Sequence, residues 1–173
     1  MIENDPLYKR DPEAWNSYLA EGNARQPRKR VSADLIIRNT KDQILLVNPT
    51  YKPDWDLPGG MAEANEPPLH TVKRELFEEL GIEPKVGALL CVDWVSPHGP
   101  WDDLINFIFD GGIINDAQIE GMQLRDSELS AYEFCDEAQA QIRLRPYVWR
   151  RLSMALEALQ TGCAHYLQDG FRQ

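Results

Sequence analysis

Apolar and polar positions alternate over residues 31–37, Val31-Ser32-Ala33-Asp34-Leu35-Ile36-Ile37, and a second apolar run, Ile44-Leu45-Leu46-Val47, follows the polar residues 39–42. A period of two with a short polar break is the pattern of paired β-strands. Further strand segments are expected at 86–95, 104–109 and 129–135, each set off by Gly, Pro, Asn or Asp. The period then changes. Leu144, Val148, Leu152, Ala155, Leu156 and Leu159 recur at helical spacing and make one apolar stripe on a C-terminal helix. Residues 1–30 are polar, with a short helix expected at 11–21, where Asp11 caps and Pro12 occupies the first turn. The pattern divides the chain into an N-terminal arm (1–30), a domain (31–162) and a tail (163–173).

Between the second and third strand segments lies a second helix. Pro67 suits its first turn, Gly81 suits a left-handed cap at its end, and Pro84 discourages continuation. At ~100° per residue, Leu69, Val72, Leu76 and Leu80 share one side and are expected to pack on a sheet. Glu75, Glu78 and Glu79 share the neighbouring face at i, i+3 and i+4. Three like charges on adjacent turns repel unless something positive lies among them, and a hard divalent cation, which prefers oxygen ligands, answers that need. Just before the helix, Gly59 and Gly60 allow main chain to approach a metal or substrate closely.

Composition adds limits. The chain of 173 residues, 43% hydrophobic and 27% charged, suits one folded domain with an extension. Its net charge of −10 opposes a long nucleic-acid track, which needs many Lys and Arg to neutralise phosphates. An acidic protein still binds a short polyphosphate when divalent cations stand between its carboxylates and the phosphate oxygens. The run Arg28-Lys29-Arg30 reads as a solvated charge cluster. No stretch approaches the ~20 apolar residues of a membrane span. The first residues resemble no signal peptide, so a cytoplasmic location is expected. Three widely spaced cysteines, Cys91, Cys135 and Cys163, argue against a disulfide frame or thiolate zinc site.

Glu75, Glu78 and Glu79 alone would read as an exposed acidic face. The wider spacing decides otherwise: Gly60, five residues, Glu66, seven residues, then Arg74-Glu75-Leu76-Phe77-Glu78-Glu79-Leu80-Gly81-Ile82. A chance match to such a pattern in a chain this size has a probability of order ~10⁻⁷. This segment resembles the complete Nudix box, the signature of a family that hydrolyses nucleoside diphosphates linked to another group. The resemblance implies an α/β fold, a Nudix-type α/β/α sandwich around a mixed β-sheet. It implies magnesium, or manganese, held by Glu75, Glu78 and Glu79, with the carbonyl of Gly59 as a further contact. It casts Glu66 and Arg74 as the pair that orients the helix and its carboxylates. Family members draw another carboxylate from a distal segment ahead of an aromatic strand residue, and Glu128 stands at the matching distance before Phe134. The general base is then one of Glu75, Glu79 and Glu128, with the choice open.

For the substrate, Trp55, Trp94 and Trp101 are candidates for stacking on a base, and His98 lies on a loop within reach. Pro97 stands fifteen residues beyond Ile82, where ADP-ribose-cleaving members of the family often carry proline. That places ADP-ribose slightly ahead of nucleoside triphosphates, oxidised nucleotides and nucleotide sugars. Two other readings stand beside the hydrolase. An isopentenyl diphosphate isomerase on the same scaffold would need a cysteine within residues 55–61, and there is none. A nucleotide-sensing module without activity would be expected to carry a broken box. The N-terminal arm is a candidate for dimer contacts, motivated by its separation from the core pattern.

Overall fold

The structure is a computed structural model that describes residues 5–173. Its centre is one mixed sheet of eight strands: β1 (Arg30–Asn39), β2 (Ile44–Pro49), β3 (Gly59–Met61), β4 (Leu89–Val95), β5 (Leu104–Ile114), β6 (Leu129–Cys135), β7 (His165–Gln168) and β8 (Phe171–Arg172). The strand order is β6-β2-β1-β5-β4-β7-β8, with β3 paired to β1 off this path. β1 runs parallel to β5 and β4 parallel to β7, and the other pairings are antiparallel. All five strand segments expected from alternation form. β4 starts at Leu89, three residues later than expected, and β5 runs on to Ile114.

Helices cover both faces. α3 (Pro68–Leu80) packs over Ala33, Leu35, Ile37, Leu45 and Val47 through Val72, Leu76 and Leu80. On the other face lie Ile36, Ile44, Leu46, Cys91 and Ile108, covered by α6 (Pro146–Thr161) through Val148, Leu152, Ala155 and Ala158. Each fully buried Leu or Ile contributes roughly 1.5–3 kcal/mol. The result is the α/β/α sandwich around a mixed sheet that the resemblance of residues 60–82 implies. Two short helices, α4 (Asp116–Glu120) between β5 and β6 and α5 (Glu137–Arg143) between β6 and α6, are each opened by a capping box.

Several details differ from expectation. α3 begins at Pro68, with Pro67 as its N-cap. Leu69 is exposed, and Thr71 takes its place in the packing. Thr71 lies two residues on, about 200° round from Leu69 and beside Val72, and its hydroxyl donates to Glu66 at 3.0 Å, so a polar residue is buried without loss of its hydrogen bond. Gly81 does end the helix, at φ 69°, where its N–H donates to Phe77 O and that of Ile82 to Leu76 O. Residues 163–173, set apart as a tail on pattern alone, add β7 beside β4, with Leu167 fully buried. The strand is too short for its alternation to stand out.

The arm contains α1 (Leu7–Arg10) and α2 (Pro12–Arg25). Asp11 accepts a hydrogen bond from the Ala14 N–H at the start of α2. No residue of either helix is buried.

Candidate active site

Arg74 is the hub from which the site is built. Its Nε and Nη2 donate to the two oxygens of Glu66, both at 2.9 Å, and Nη2 also donates to the Met61 carbonyl at 3.0 Å. Nη1 donates to Glu78 Oε2 at 3.0 Å and lies 3.1 Å from Glu75 Oε1. One guanidinium thus ties the helix to β3 and to the loop between them. The planar fork of Arg suits this bidentate work, which an ammonium would not reproduce. The Arg74 hydrogen bonds hold the Glu66 carboxyl down at about 2, and those same bonds raise the pKa of Arg74 further.

The glycines before the helix are required by contact. Gly59 has φ 142°, and a Cβ there would collide with the backbone of Ala33 and Asp34 on β1. A Cβ on Gly60 would overlap the carboxylate of Glu75. Gly59 is thus required by backbone contact, while a side chain at Gly60 would force the Glu75 carboxylate to move.

Glu79 is the most unusual side chain of the set. It is 7% exposed, and its Oε2 is buried with no hydrogen-bond partner. Burial first, then the charges of Glu75, Asp126, Glu128 and Asp34, push its pKa up to about 8. Burial likewise raises Glu75, against the pull of Arg74. Glu78 is exposed and turns toward Arg74. Glu128 is exposed in the loop before β6; its carbonyl accepts from Thr50 N–H at 2.7 Å, and its N–H donates to Asp126 Oδ1 at 2.9 Å. Its charge bears on both Glu75 and Glu79, although the two segments are far apart in sequence.

Among the described residues, no three His, Cys, Asp or Glu side chains close into a ready-made metal-binding group. The donor chemistry nonetheless fits a hard divalent cation: oxygen ligands only, mutually repelling carboxylates, and one buried oxygen lacking a partner. Glu75, Glu79, Glu128 and the Gly59 carbonyl are the groups that would hold it, with Glu78 joining if it leaves Arg74.

Beside Glu79 opens a cleft of about 330 Å³. Four cations line it, Arg30, Lys52, Arg145 and Arg151, together with Asp34 and Asp56. Lys52 pairs with Asp56, and Arg145 approaches the same carboxylate at 3.7 Å. Burial and the charge of Asp56 raise the Asp34 carboxyl to about 7. Trp101 and His98 form part of the rim, with the Arg30 guanidinium 4.6 Å from the Trp101 ring centre. Arg30, read from sequence as part of a solvated run, is thus a cleft residue. Trp55 and Pro97 are not among the cleft-lining residues. Trp55 packs against the α6-side core with Arg143 over its ring, and Pro97 is exposed. Trp94 donates its indole N–H to Asp103.

Asp34, Asp56, Lys52, Asn106, Arg145 and Arg151 were missed by sequence reasoning. A faint signal existed for Asp34. On β1 the face that carries Ile36 continues to Asp34 and Ser32, so the residues taken for a solvent-facing alternation point into the cleft.

A glycine turn, a carboxylate-bearing helix held by an Arg–Glu clamp, and a mixed sheet between two helical layers define a class. The NUDIX domain model matches residues 28–155, and the chain belongs to the Nudix family. Among its relatives, diphosphoinositol polyphosphate phosphohydrolase 3-beta of Bos taurus is 42% identical over 64 residues, 36% of this chain and 39% of that protein. The chain thus spans well under half the length of this curated relative. Two solved structures share the fold. A UDP-X diphosphatase matches with a TM-score of 0.68 at 19% identity, covering 89% of this chain and 74% of the other. The NUDIX domain of Shewanella oneidensis NrtR, complexed with ADP ribose, matches with a TM-score of 0.67 at 20% identity, covering 83% and 97%. Among the described residues, no helix is long and apolar enough to cross a membrane.

Proposed function

We propose that this protein is a magnesium-dependent pyrophosphohydrolase, which cleaves a phosphoanhydride bond in a nucleoside diphosphate linked to a further group. The observation that carries this reading is Glu79, a buried carboxylate with an unpartnered oxygen, facing a cleft lined by four cations. Magnesium bound at Glu75, Glu78, Glu79 and Glu128 supplies charge neutralisation at the phosphates and activates water. Manganese suits the same oxygen set.

The remaining work falls to the chain. Arg74 and Glu66 keep α3 in register with β3, so that Glu75 and Glu79 hold their positions through the reaction. Lys52 and Arg145 flank Asp56 and offer positive charge to phosphate oxygens in the cleft. Glu75, Glu79 and Glu128 are the three candidates to accept the proton of the attacking water.

The relatives' names support three substrate types: a diphosphoinositol polyphosphate, a UDP-linked compound and ADP ribose. Nucleotides fit best, because the rim carries Trp101, a surface for a base. ADP-ribose and nucleotide sugars stand ahead of nucleoside triphosphates. Among the cleft-lining residues there is no cysteine, which weighs against the isomerase reading.

The test is a panel of ADP-ribose, UDP-glucose, nucleoside triphosphates including oxidised dNTPs, and isopentenyl diphosphate, assayed with and without magnesium. Phosphate-containing products are expected from at least one nucleotide, only with metal. Glu79→Gln should lower kcat by roughly 10²-fold or more while the protein stays folded. Wild-type turnover in that variant at saturating magnesium would sink the mechanism, and binding without any product would favour a sensor.

A further inference from the structure

The floor of the cleft holds an amide whose chemistry the hydrolytic reading leaves unused. Asn106 sits near the start of β5, 2% exposed, between Ser32 on β1 and Asp93 on β4. Its Nδ2 donates to Ser32 Oγ at 2.7 Å and to Asp34 Oδ2 at 2.9 Å. Both amide hydrogens are thereby used. With Asp34 ionised, the reverse orientation would set oxygen against its carboxylate, so the neighbours favour the orientation in which Nδ2 donates to both. Asn106 Oδ1 is left buried, without a partner, at a residue that lines the cleft.

A buried acceptor that lacks a donor costs about 1–3 kcal/mol. Native structures keep few of them, and they concentrate where something else completes the bond. We propose that Asn106 is a specificity-determining residue, whose Oδ1 accepts a hydrogen bond from an unphosphorylated donor group on the substrate, a base amine or a ribose hydroxyl. The inference rests on the reading of this cleft as the substrate site and narrows its substrate class.

A phosphate fits this floor poorly. An ionised phosphate brings acceptors only, so it cannot satisfy Oδ1, and it would lie beside the Asp34 carboxylate. The nearby cation, Arg151, is engaged by carboxylates: Nε donates to Asp93 Oδ2 at 2.9 Å and Nη1 stands 4.0 Å from Asp34 Oδ2. Of the other cations that line the cleft, Lys52 and Arg145 share Asp56, while Arg30 donates to the Asp102 carbonyl and lies over Trp101. The cleft therefore divides its work: phosphate goes to these cations, and a donor-bearing organic group goes to Asn106. A ring phosphorylated at every hydroxyl does not fit that division.

Calorimetric binding to the full chain in magnesium-free buffer, where turnover cannot intervene, tests this. The probes are ADP, inosine diphosphate (amine replaced by carbonyl), 2′-deoxy-ADP and inositol hexakisphosphate. Wild type is expected to bind ADP roughly tenfold or more tightly than one of the two altered nucleotides. Weakness for inosine diphosphate identifies the base amine as the donor, and weakness for 2′-deoxy-ADP identifies the hydroxyl. In Asn106→Leu that preference should vanish. Asn106→Ala, which introduces no bulk, gives the same readout if the Leu variant misfolds. The proposal is overturned if ADP does not bind, if wild type shows no preference, if the preference survives both substitutions, or if inositol hexakisphosphate competes with ADP and binds more tightly. Binding through Asn106 in a protein that hydrolyses nothing would retain this inference and remove the hydrolase reading. A hydrolase indifferent to Asn106 would do the reverse.

Discussion

Arg74 and Glu66 show how one pair of residues sets the geometry of the carboxylates beside it. Two parallel hydrogen bonds at 2.9 Å hold Glu66 largely in its ionised form, with the carboxyl drawn from its ordinary 4.5 to about 2. A group whose folded pKa is depressed stabilises the fold above its unfolded value, and that stabilisation is lost as pH falls through the folded value. Glu66→Gln should therefore lower the melting temperature at neutral pH by an amount corresponding to roughly 1–3 kcal/mol. The difference from wild type should narrow below pH 4.5 and close near 2. Thermal melts of both proteins across that range check this; a pH-independent difference would mean that packing, and not charge, is what Gln disturbs. Glu79 follows the opposite logic. Its burial among like charges costs stability, and a bound cation would relieve that cost.

The central helix joins packing and chemistry at the scale of an element. Its inner face buries Val72, Leu76 and Leu80, while Glu75 and Glu79 project toward β3 and the cleft, so the sheet that stabilises the helix also aims the carboxylates. The cap at Gly81 ends this arrangement with φ at 69°, a backbone conformation that L side chains adopt at a cost of roughly 1–2 kcal/mol. A Cβ there also meets the Arg125 guanidinium, which lies over Phe77 and would have to move. Gly81→Ala should destabilise by about that amount in urea denaturation, leaving KM little changed because the cap is remote from the cleft. Most of this element was legible in advance. Period, Pro and Gly mark the ends of a helix because they act on local backbone, and the 60–82 spacing marks its chemistry. Leu69 shares its angle on the helix with the buried Leu76 and Leu80 but lies in the first turn, and periodicity carries no information on how far along the helix the sheet extends. Thr71 could be buried only because Glu66 folds back to take its hydroxyl, a contact that no local pattern contains.

The whole molecule depends on its C-terminal residues more than their short strands suggest. β7 pairs with β4, Leu167 is fully buried, and the Gly170 N–H donates to the buried Asp93 at 3.1 Å. Removing residues 163–173 should destabilise the fold by roughly 2–5 kcal/mol from Leu167 alone. It would also leave Asp93 to Arg151 only, one link from the Asn106 floor. Removing residues 5–26 should leave the melting temperature nearly unchanged, because no residue of α1 or α2 is buried. Calorimetry on the two truncations distinguishes them, and equal losses would refute the assignment of β7 to the core.

The amino-acid sequence by itself determined the layered α/β class, the positions of the main strands and both long helices, and the carboxylate set with its Arg–Glu clamp. The strands and helices are written in local periodicity, and the class, the carboxylates and the clamp in the resemblance of residues 60–82 to a family signature. Only the tertiary structure decided the rest of the cleft. Arg30, Asp34, Lys52, Asn106, Arg145 and Arg151 come from four separate parts of the chain, and none has a spacing that marks it. They meet because β1 runs parallel to β5 and α6 crosses beneath both, and such contacts depend on which strands become neighbours. Burial then gives an ordinary asparagine an unpaired acceptor and an ordinary glutamate an unpaired oxygen, a property of surroundings that residue identity does not carry.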